Sequence, residues 1–398
     1  MRKPELSTRL AVTGAGIICS IGRNRDEVWE SIVAARAGIA PLTHFPNETF
    51  PTQLAAEADA EVQTTREWKR LSRTDLLAIT AAKEALAQAA NVPLDRAIVS
   101  TGTSTGGLLE GEDYYMRRLA IGRRRAPVSR VLQQPTSGPS DAVARALGLG
   151  GGAISNATAC ASAGAAIGIA ADYLRSGHAD VAVAGGSDAL CRLTYSGFNV
   201  LQAVDADPCS PFGATRNGIT LGEGAGYLVL ERWDDAVARG ATILAELTGY
   251  GASCDAHHPT APVEDGSGAA AAMRGALAEA QLAPASVDYV NAHGTGTLLN
   301  DSAETKAIIS ALGSEVPVSS SKSFFGHTLG ASGAVEAVVT VLALQHQIAP
   351  PTLRLHRAAE DCPLDYIAHA PRAMPLTNVL SNTFGFGGSN VSLAFRRA

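Results

Sequence analysis

One cysteine of this 398-residue chain lies among side chains too small to cover it. Cys160 falls in the run N-A-T-A-C-A-S (residues 156–162), and the very small residues of 161–176 predict a helix directly after it. The thiol would then lie near a helix N-terminus, where unpaired backbone N–H groups and the helix dipole lower a thiol pKa. A backbone N–H at this turn could also face a thioester oxygen. These features suit a nucleophilic thiol, and a buried structural cysteine is the alternative.

Two histidines lie in loops of similar composition. His293 falls in N-A-H-G-T-G-T (residues 291–297), and His327 falls in S-K-S-F-F-G-H-T-L-G-A-S-G (residues 321–333). Each follows a predicted strand, and the loops after strands are where α/β folds place chemistry. Because Gly, Ser and Thr surround both rings, neither histidine belongs to a packing face. Both are therefore candidate partners of Cys160.

The apolar runs alternate between strand and helix patterns along the chain. The predicted strands are 9–12, 97–102, 181–184 (which ends in the motif G-G-S-D), 227–230, 287–291, 316–319 and 391–395. The predicted helices are 75–90, 161–176, 268–280, 302–312 and 331–345. This alternation predicts an α/β protein with largely buried strands. A change in composition near 244–256 suggests two halves, 1–245 and 246–398.

Composition narrows the class of protein. Hydrophobic residues make up 46% of the chain and the net charge is −6, so we expect a globular protein that binds no nucleic acid. The N-terminus shows no signal peptide, and no apolar run is long enough for a membrane span, so we expect a cytoplasmic location. Six cysteines without a C-x-x-C pair indicate reduced thiols and no metal site.

The glycine-rich stretch G-A-G-I-I-C (residues 14–19) invites a dinucleotide-binding interpretation. Cys19 replaces the third glycine of that motif, and no acidic residue ends a clean second strand about 20 residues later. The sequence therefore favours a structural turn at this point.

Four ordered motifs together resemble one family. N-A-T-A-C-A-S, N-A-H-G-T-G-T, S-K-S-F-F-G-H-T-L-G-A-S-G and S-N-T-F-G-F-G-G-S-N (residues 381–390) are similar to those of the β-ketoacyl-acyl-carrier-protein synthases. Within that family the chain resembles the elongating Cys-His-His type, which comprises synthases I and II and the type II polyketide ketosynthases. The resemblance runs essentially end to end. It implies a thiolase fold, an α/β architecture of two similar halves in five αβαβα layers.

The resemblance also implies a role for individual residues. Cys160 would carry the acyl chain, with His293 and His327 as its catalytic partners. Lys322 and Glu336 would orient and tune the histidines, although a structural ion pair is the alternative. The remaining implied sites are an oxyanion hole from the N–H groups of Cys160 and Phe386, an acyl gate at Phe386 with Phe384 nearby, and pantetheine-binding hydroxyls at Thr295 and Thr297.

The implied reaction is a decarboxylative Claisen condensation. A malonyl group on a carrier protein would lose carbon dioxide, and the resulting enolate would attack the thioester on Cys160. Two neutral imidazoles that donate through Nε2 can hold the enolate oxygen without protonating its carbon. We expect no metal and no redox cofactor, because the 4′-phosphopantetheine arm arrives on the carrier protein.

The expected partners are an acidic acyl carrier protein and a second subunit, which would be identical or a homologous chain-length factor. Basic clusters would steer the carrier, although a solvated surface is the alternative. The candidate docking residues are Arg123, Arg124, Arg125, Arg66, Lys69, Arg70 and Arg73.

Three rival classes share parts of this pattern. A chain-length factor lacks the active cysteine, and thiolases and initiating synthases give that cysteine other partners. The order Cys160, His293, His327 with Lys322 favours elongation. The chain departs from the family at Leu298 and Leu299, at Gly213 and at Ser389. Because of these departures, the sequence does not determine which acyl chain the protein accepts. It therefore does not decide between fatty-acid synthesis and specialised polyketide or polyene synthesis.

Overall fold

The computed structural model of the chain describes residues 8–46, 50–59, 71–122 and 124–398. In the first half the elements are β1 (Leu10–Cys19), α1 (Arg25–Val33), β2 (Ala40–Pro41), β3 (Leu54–Ala55), α2 (Arg73–Ala89), β4 (Ala97–Gly102), α3 (Leu108–Ile121), α4 (Gly138–Leu147), β5 (Gly152–Asn156), α5 (Ser162–Arg175), β6 (Val181–Asp188), α6 (Arg192–Val200), β7 (Gly224–Arg232) and α7 (Trp233–Ala238). In the second half they are β8 (Ala245–Cys254), α8 (Ser267–Ala280), β9 (Tyr289–Asn291), α9 (Leu298–Leu312), β10 (Pro317–Ser319), α10 (Lys322–Phe325), α11 (Ser332–His346), β11 (Ile348–Ala349), β12 (Asp365–Tyr366), β13 (Arg372–Ala373), β14 (Asn378–Gly385) and β15 (Ser389–Arg397).

The large mixed sheet shows that the two halves repeat one topology. Its strand order is β12-β10-β9-β14-β15-β8-β1-β7-β6-β4-β5. From the sheet edge inward, the first half gives the order β5-β4-β6-β7-β1 and the second half gives β10-β9-β14-β15-β8. Counted along the chain among these five strands, both orders run third, second, fourth, fifth and first. The central pairs are parallel, and the fifth strand is antiparallel to both of its neighbours. The halves join where β1 runs antiparallel to β8, with Leu10 opposite Leu247. The predicted division between residues 245 and 246 stays a prediction.

Helices cover the two half-sheets in five layers. In the first half α2 and α4 pack on the outer face, and in the second half α8 and α9 do so. Between the half-sheets lie α5 and α11, which contact each other and strands of both halves. Positions 332–344 of α11 are buried without interruption. The central layer is therefore the core that both halves share.

Close packing in the central layer explains why α5 contains so many small residues. A Cβ added at Gly168 would lie 2.6 Å from the Tyr250 ring. One added at Gly333 of α11 would lie 2.6 Å from the backbone nitrogen of Gly164. Larger side chains at these positions would force the layers apart.

The segment Leu329–His346 has the length and composition of a membrane-spanning helix, with a mean hydropathy of 1.3. However, 89% of it is buried inside the fold. This segment, which includes α11, is therefore a core helix, and its apolar character reflects contact with protein on every side.

The predicted turn at residues 14–19 is wrong, because β1 continues through these residues to Cys19. Gly14 and Gly16 lie against α2, where an added Cβ would lie 2.0 Å from the carbonyl oxygens of Ala85 and Ala81 respectively. The glycines thus permit close contact between a helix and a strand, and they form no nucleotide loop.

Replacing Gly16 with alanine should destabilise the protein by about 1–3 kcal/mol, since α2 must move away from β1. Urea unfolding of the variant measures this loss. Gly197→Ala in α6 is the matched control, because no atom lies within 4 Å of the added methyl group. Equal stability of Gly16→Ala and wild type would contradict the packing account.

Candidate active site

A strained turn presents Cys160 just before α5. The preceding residue, Ala159, has a φ of 48°, which lies in the left-handed region. Such a conformation costs on the order of 1–3 kcal/mol and persists only where surrounding contacts enforce it. Here the hydroxyls of Ser162 and Ser104 both donate to the Ala159 carbonyl oxygen, at 2.5 and 2.9 Å. The turn that carries the thiol is thus fixed from two sides.

The Cys160 thiol is buried, and burial dominates its acidity. Burial raises the pKa of Cys160 to about 11, while the positive charge of Lys322 and a hydrogen bond from the Phe386 N–H lower it. Desolvation of the thiolate therefore outweighs the groups that favour it, so the pKa is raised overall despite the effect predicted for the helix N-terminus. The predicted oxyanion donors, the N–H groups of Cys160 and Phe386, both favour the thiolate and so lower this pKa.

His293 and His327 lie together in the same cavity as Cys160. Their ring centroids are 5.3 Å apart with the planes at 86°, and each residue is 3% exposed. The cavity has a volume of about 320 Å³. The structure therefore brings together the three side chains that the sequence singled out.

Both imidazoles carry their proton on Nε2. The Lys322 ammonium has no acceptor, so it donates to Nδ1 of His293 at 3.2 Å. The backbone N–H of Leu329 donates to Nδ1 of His327 at 3.1 Å. Burial holds the pKa of each histidine well below its usual value, and the charge of Lys322 adds to this effect. The pair is neutral at pH 7 and offers two Nε2–H donors.

Lys322 forms a fully buried ion pair with Glu336 of α11. Burial raises the pKa of Glu336 to about 7, and Lys322 opposes that shift. The pair joins α10, which precedes His327, to the central helix layer. It thereby fixes the ammonium against His293.

Glu304 of α9 is a site residue that sequence reasoning missed. Its carboxylate accepts the backbone N–H groups of His293 at 2.8 Å and of Gly294 at 2.7 Å. Burial raises the pKa of Glu304 to about 7. The sequence feature that could have identified Glu304 is its spacing of three residues from Asp301, which places two carboxylates on one face of a helix. Asp301 holds the N–H of Gly296 at 3.2 Å.

The implied gate and arm-binding residues also line the cavity. The Phe386 ring lies 5.5 Å from that of Phe198, and the Phe384 ring lies 5.6 Å from that of His293. The hydroxyls of Thr295 and Thr297 lie 2.9 Å from each other. The cavity is thus polar at the threonines and aromatic beside the thiol.

The implied docking residues fall into three groups. Arg124 and Arg125 are exposed. Arg73 is a correction, because its guanidinium is turned inward to the carboxylate of the buried Glu223 and is only 21% exposed. The other four, Arg123, Arg66, Lys69 and Arg70, lie outside the described residues.

Comparison with known proteins identifies the family. Residues 7–236 match the N-terminal domain and residues 244–356 the C-terminal domain of the beta-ketoacyl synthases. The chain is 39% identical to the 3-oxoacyl-[acyl-carrier-protein] synthase 2 of Synechocystis sp., covering 98% of each, and 37% identical to nodulation protein E of Rhizobium meliloti (strain 1021), covering 98% of this chain and 100% of the other. A solved structure of the ishigamide ketosynthase/chain length factor is 34% identical, with a TM-score of 0.94 over 98% of this chain and 99% of that one. The chain belongs to the β-ketoacyl synthase family, and the predicted thiolase fold is confirmed.

Alkylation of Cys160 by iodoacetamide should rise with pH through a midpoint above that of a free cysteine, about 8.5. Lys322→Met should move the midpoint to still higher pH, because the charge that favours the thiolate is lost. Mass spectrometry of the peptide that contains Cys160 measures both profiles. Lys306→Met, which removes an exposed lysine of α9, should leave the profile unchanged. A wild-type midpoint below pH 7 would show that the helix N-terminus outweighs burial.

Proposed function

We propose that the chain is a β-ketoacyl-[acyl-carrier-protein] synthase that elongates an acyl chain held on Cys160. One observation carries this proposal: a buried thiol shares a cavity with two neutral imidazoles that both donate through Nε2. This arrangement suits a reaction in which an oxyanion forms beside a thioester.

In the first step Cys160 attacks the carrier thioester. A bond forms between Cys160 Sγ and the acyl carbon, and the bond from that carbon to the carrier sulfur breaks. The leaving thiolate takes up the proton that the cysteine releases. The N–H groups of Cys160 and Phe386 stabilise the tetrahedral oxyanion.

In the second step the malonyl group binds with its thioester oxygen at the two imidazoles. The carbon–carbon bond to the carboxylate breaks, carbon dioxide leaves, and the electron pair remains in the enolate. His293 and His327 hold the enolate oxygen by hydrogen bonds. Because the low pKa values keep both rings as neutral imidazoles, no imidazolium is present to protonate the enolate carbon.

In the third step the enolate carbon attacks the acyl carbon on Cys160. The new carbon–carbon bond forms, the carbon–sulfur bond breaks, and the Cys160 thiolate takes up a proton from solvent, which balances the carboxylate lost as carbon dioxide. The product is a β-ketoacyl group on the carrier. This cycle needs no resident metal and no redox cofactor, and Thr295 and Thr297 would bind the 4′-phosphopantetheine arm of the carrier.

Two partners fit the surface. The exposed Arg124 and Arg125 suit an acidic carrier protein. Large apolar side chains are also exposed on α3 and the turn that follows it, namely Tyr115, Met116, Leu119, Ile121, Val128 and Leu132. Such a patch, together with the sheet edge at β5, supports pairing with a second subunit. That subunit is an identical copy or, by analogy with the ishigamide ketosynthase/chain length factor, a chain-length factor.

The pathway and the compartment are also part of the proposal. The similarity to a 3-oxoacyl-[acyl-carrier-protein] synthase 2 supports fatty-acid synthesis, whereas a ketosynthase solved with its type II PKS acyl-carrier protein, which is 29% identical with a TM-score of 0.90, supports a specialised polyketide pathway. Six free thiols, five of them buried, support a reducing cytoplasm.

Incubation with a panel of acyl-carrier-protein thioesters should add one acyl group to the intact mass of the wild type and none to Cys160→Ala. Cys254→Ala, which removes the exposed thiol, should gain mass as the wild type does. Cys160→Gln should lose condensation and keep malonyl decarboxylation, since the imidazole pair remains. A Cys160 variant that still condensed would overturn the assignment of the nucleophile.

Three leucines at the mouth of the cavity should contact the carrier. Leu201, Leu298 and Leu299 line the cavity and are 53–62% exposed. Leu298→Asp with Leu299→Asp should raise the KM for carrier-bound substrate about tenfold, which corresponds to roughly 1.4 kcal/mol. Turnover of a small pantetheine thioester should stay unchanged. Val237→Asp on α7 is the exposed apolar control, and equal losses on both substrates would contradict a contact with the carrier body.

A further inference from the structure

The motif G-G-S-D at the end of β6 plays no part in the mechanism above, yet its aspartate is bonded to the loop after β4 and to the turn after His327. Asp188 is fully buried. Its carboxylate accepts hydrogen bonds from Thr103 Oγ1 at 2.5 Å, Ser104 N–H at 2.8 Å, Thr105 N–H at 2.9 Å, Thr105 Oγ1 at 2.7 Å and Gly330 N–H at 2.6 Å.

These five donors belong to two segments that are far apart in the chain. Thr103, Ser104 and Thr105 form the loop after β4, and Gly330 belongs to the turn after His327. Between His327 and Gly330 lies Leu329, whose φ of 52° is in the left-handed region. The N–H of Leu329 is the donor that sets the His327 tautomer. Asp188 therefore fixes the peptide next to that donor.

The other segment leads to the nucleophile. Ser104, whose N–H is bound by Asp188, donates its hydroxyl to the carbonyl oxygen of Ala159. Ala159 is the strained residue directly before Cys160. The buried carboxylate of Asp188 is thus connected through Ser104 to the turn of Cys160 and through Gly330 to the turn of His327.

The two segments approach so closely at Gly330 that no side chain fits between them. A Cβ added at Gly330 would lie 2.5 Å from the Ser104 nitrogen and 2.6 Å from the Asp188 carboxylate. The two backbone segments meet at the carboxylate with nothing between them. A group that accepts from both at once is required to hold them together.

We propose that Asp188 is a positioning residue for condensation, which holds the Cys160 turn and the His327 turn at a fixed separation. The proposal rests on the proposed function of those two residues. Burial raises the pKa of Asp188, and the hydrogen bonds from Thr103, Ser104 and Thr105 oppose that shift. An ionised carboxylate suits this task because both of its oxygens only accept hydrogen bonds. The isosteric amide would turn its NH₂ toward N–H and O–H groups and leave them without a partner.

The charge of Asp188 acts against the nucleophile. It raises the pKa of Cys160, whereas Lys322 lowers that pKa. Of the other titratable groups that line the cavity, His293 and His327 are neutral, and Asp255 is not among the groups that shift the pKa of Cys160. The carboxylate is therefore retained at the site for the geometry that it imposes and not for activation of the thiol.

Asp188→Asn separates geometry from charge. The kcat for condensation should fall by about 10- to 100-fold, as expected when reacting groups are misplaced, while the KM for the carrier stays unchanged. The alkylation profile of Cys160 should at the same time move to lower pH, because the negative charge is gone. Exposure of the thiol by loss of structure would also lower its midpoint, because burial is the main cause of the raised pKa. Thermal unfolding of Asp188→Asn, measured beside the profile, separates the two: we expect the lower midpoint in a variant that stays folded at the assay temperature.

Three further variants complete the test. Asp188→Glu keeps the charge and the acceptors, so it should restore the alkylation profile and part of the turnover. Glu231→Gln alters another buried carboxylate, which is bonded to Thr13 and Arg239 and to no residue of the Cys160 or His327 turn. It should move neither readout. Ser104→Ala removes only the bond to Ala159 and should slow acylation of Cys160 even if Asp188→Asn fails to fold.

Wild-type kcat in both Asp188→Asn and Ser104→Ala would overturn the proposal. So would an alkylation profile that Asp188→Asn and Glu231→Gln change equally. The alkylation readout does not depend on ketosynthase activity. If the wild type accepted no acyl group while Asp188→Asn still shifted the profile, the proposed function would fail and the effect of the Asp188 charge on the thiol would stand.

Discussion

Burial of the Lys322 ammonium is the constraint on which the site depends. A cation in the core is costly unless charged and polar partners surround it. Glu336 supplies the opposite charge, and Nδ1 of His293 accepts a hydrogen bond from the ammonium. The same contact fixes the tautomer of His293 and, with burial, keeps the ring neutral. The arrangement that stabilises the lysine is thus the one that prepares an oxyanion donor.

The duplicated sheet explains where these groups meet. Cys160 comes from the first half, at the start of α5, and the histidines and Lys322 come from the second. Because α5 and α11 share the central layer, the nucleophile and Glu336 are anchored in one packed core. The catalytic geometry then depends on contacts between halves, such as the hydrogen bond from the Gly330 N–H to Asp188.

Local patterns in the sequence predicted the strand 97–102 as observed, the helices α5, α8 and α11 to within one residue at each end, and the three central side chains. They did not reveal β14 or the duplication, which depend on pairing between distant strands. Gly14 and Gly16 resemble a turn when only their neighbours in sequence are considered. Glycine is needed at both positions because α2 packs directly against them, and that contact is tertiary. The pKa of Cys160 and the inward turn of Arg73 follow from burial, which no local pattern encodes. Glu304 and Asp188 act through backbone N–H groups, so their roles appear only in the folded structure.

The central claim is that His293 and His327 are neutral and protonated on Nε2. Nitrogen NMR of protein labelled at its nine histidines, assigned with His293→Gln and His327→Gln, tests it directly. The account predicts that both rings keep an unprotonated Nδ1 at pH 6.5 and above, because burial and Lys322 hold their pKa values well below the usual 6.5. Signals of an imidazolium, or of an Nδ1–H tautomer, from either ring near neutral pH would contradict it.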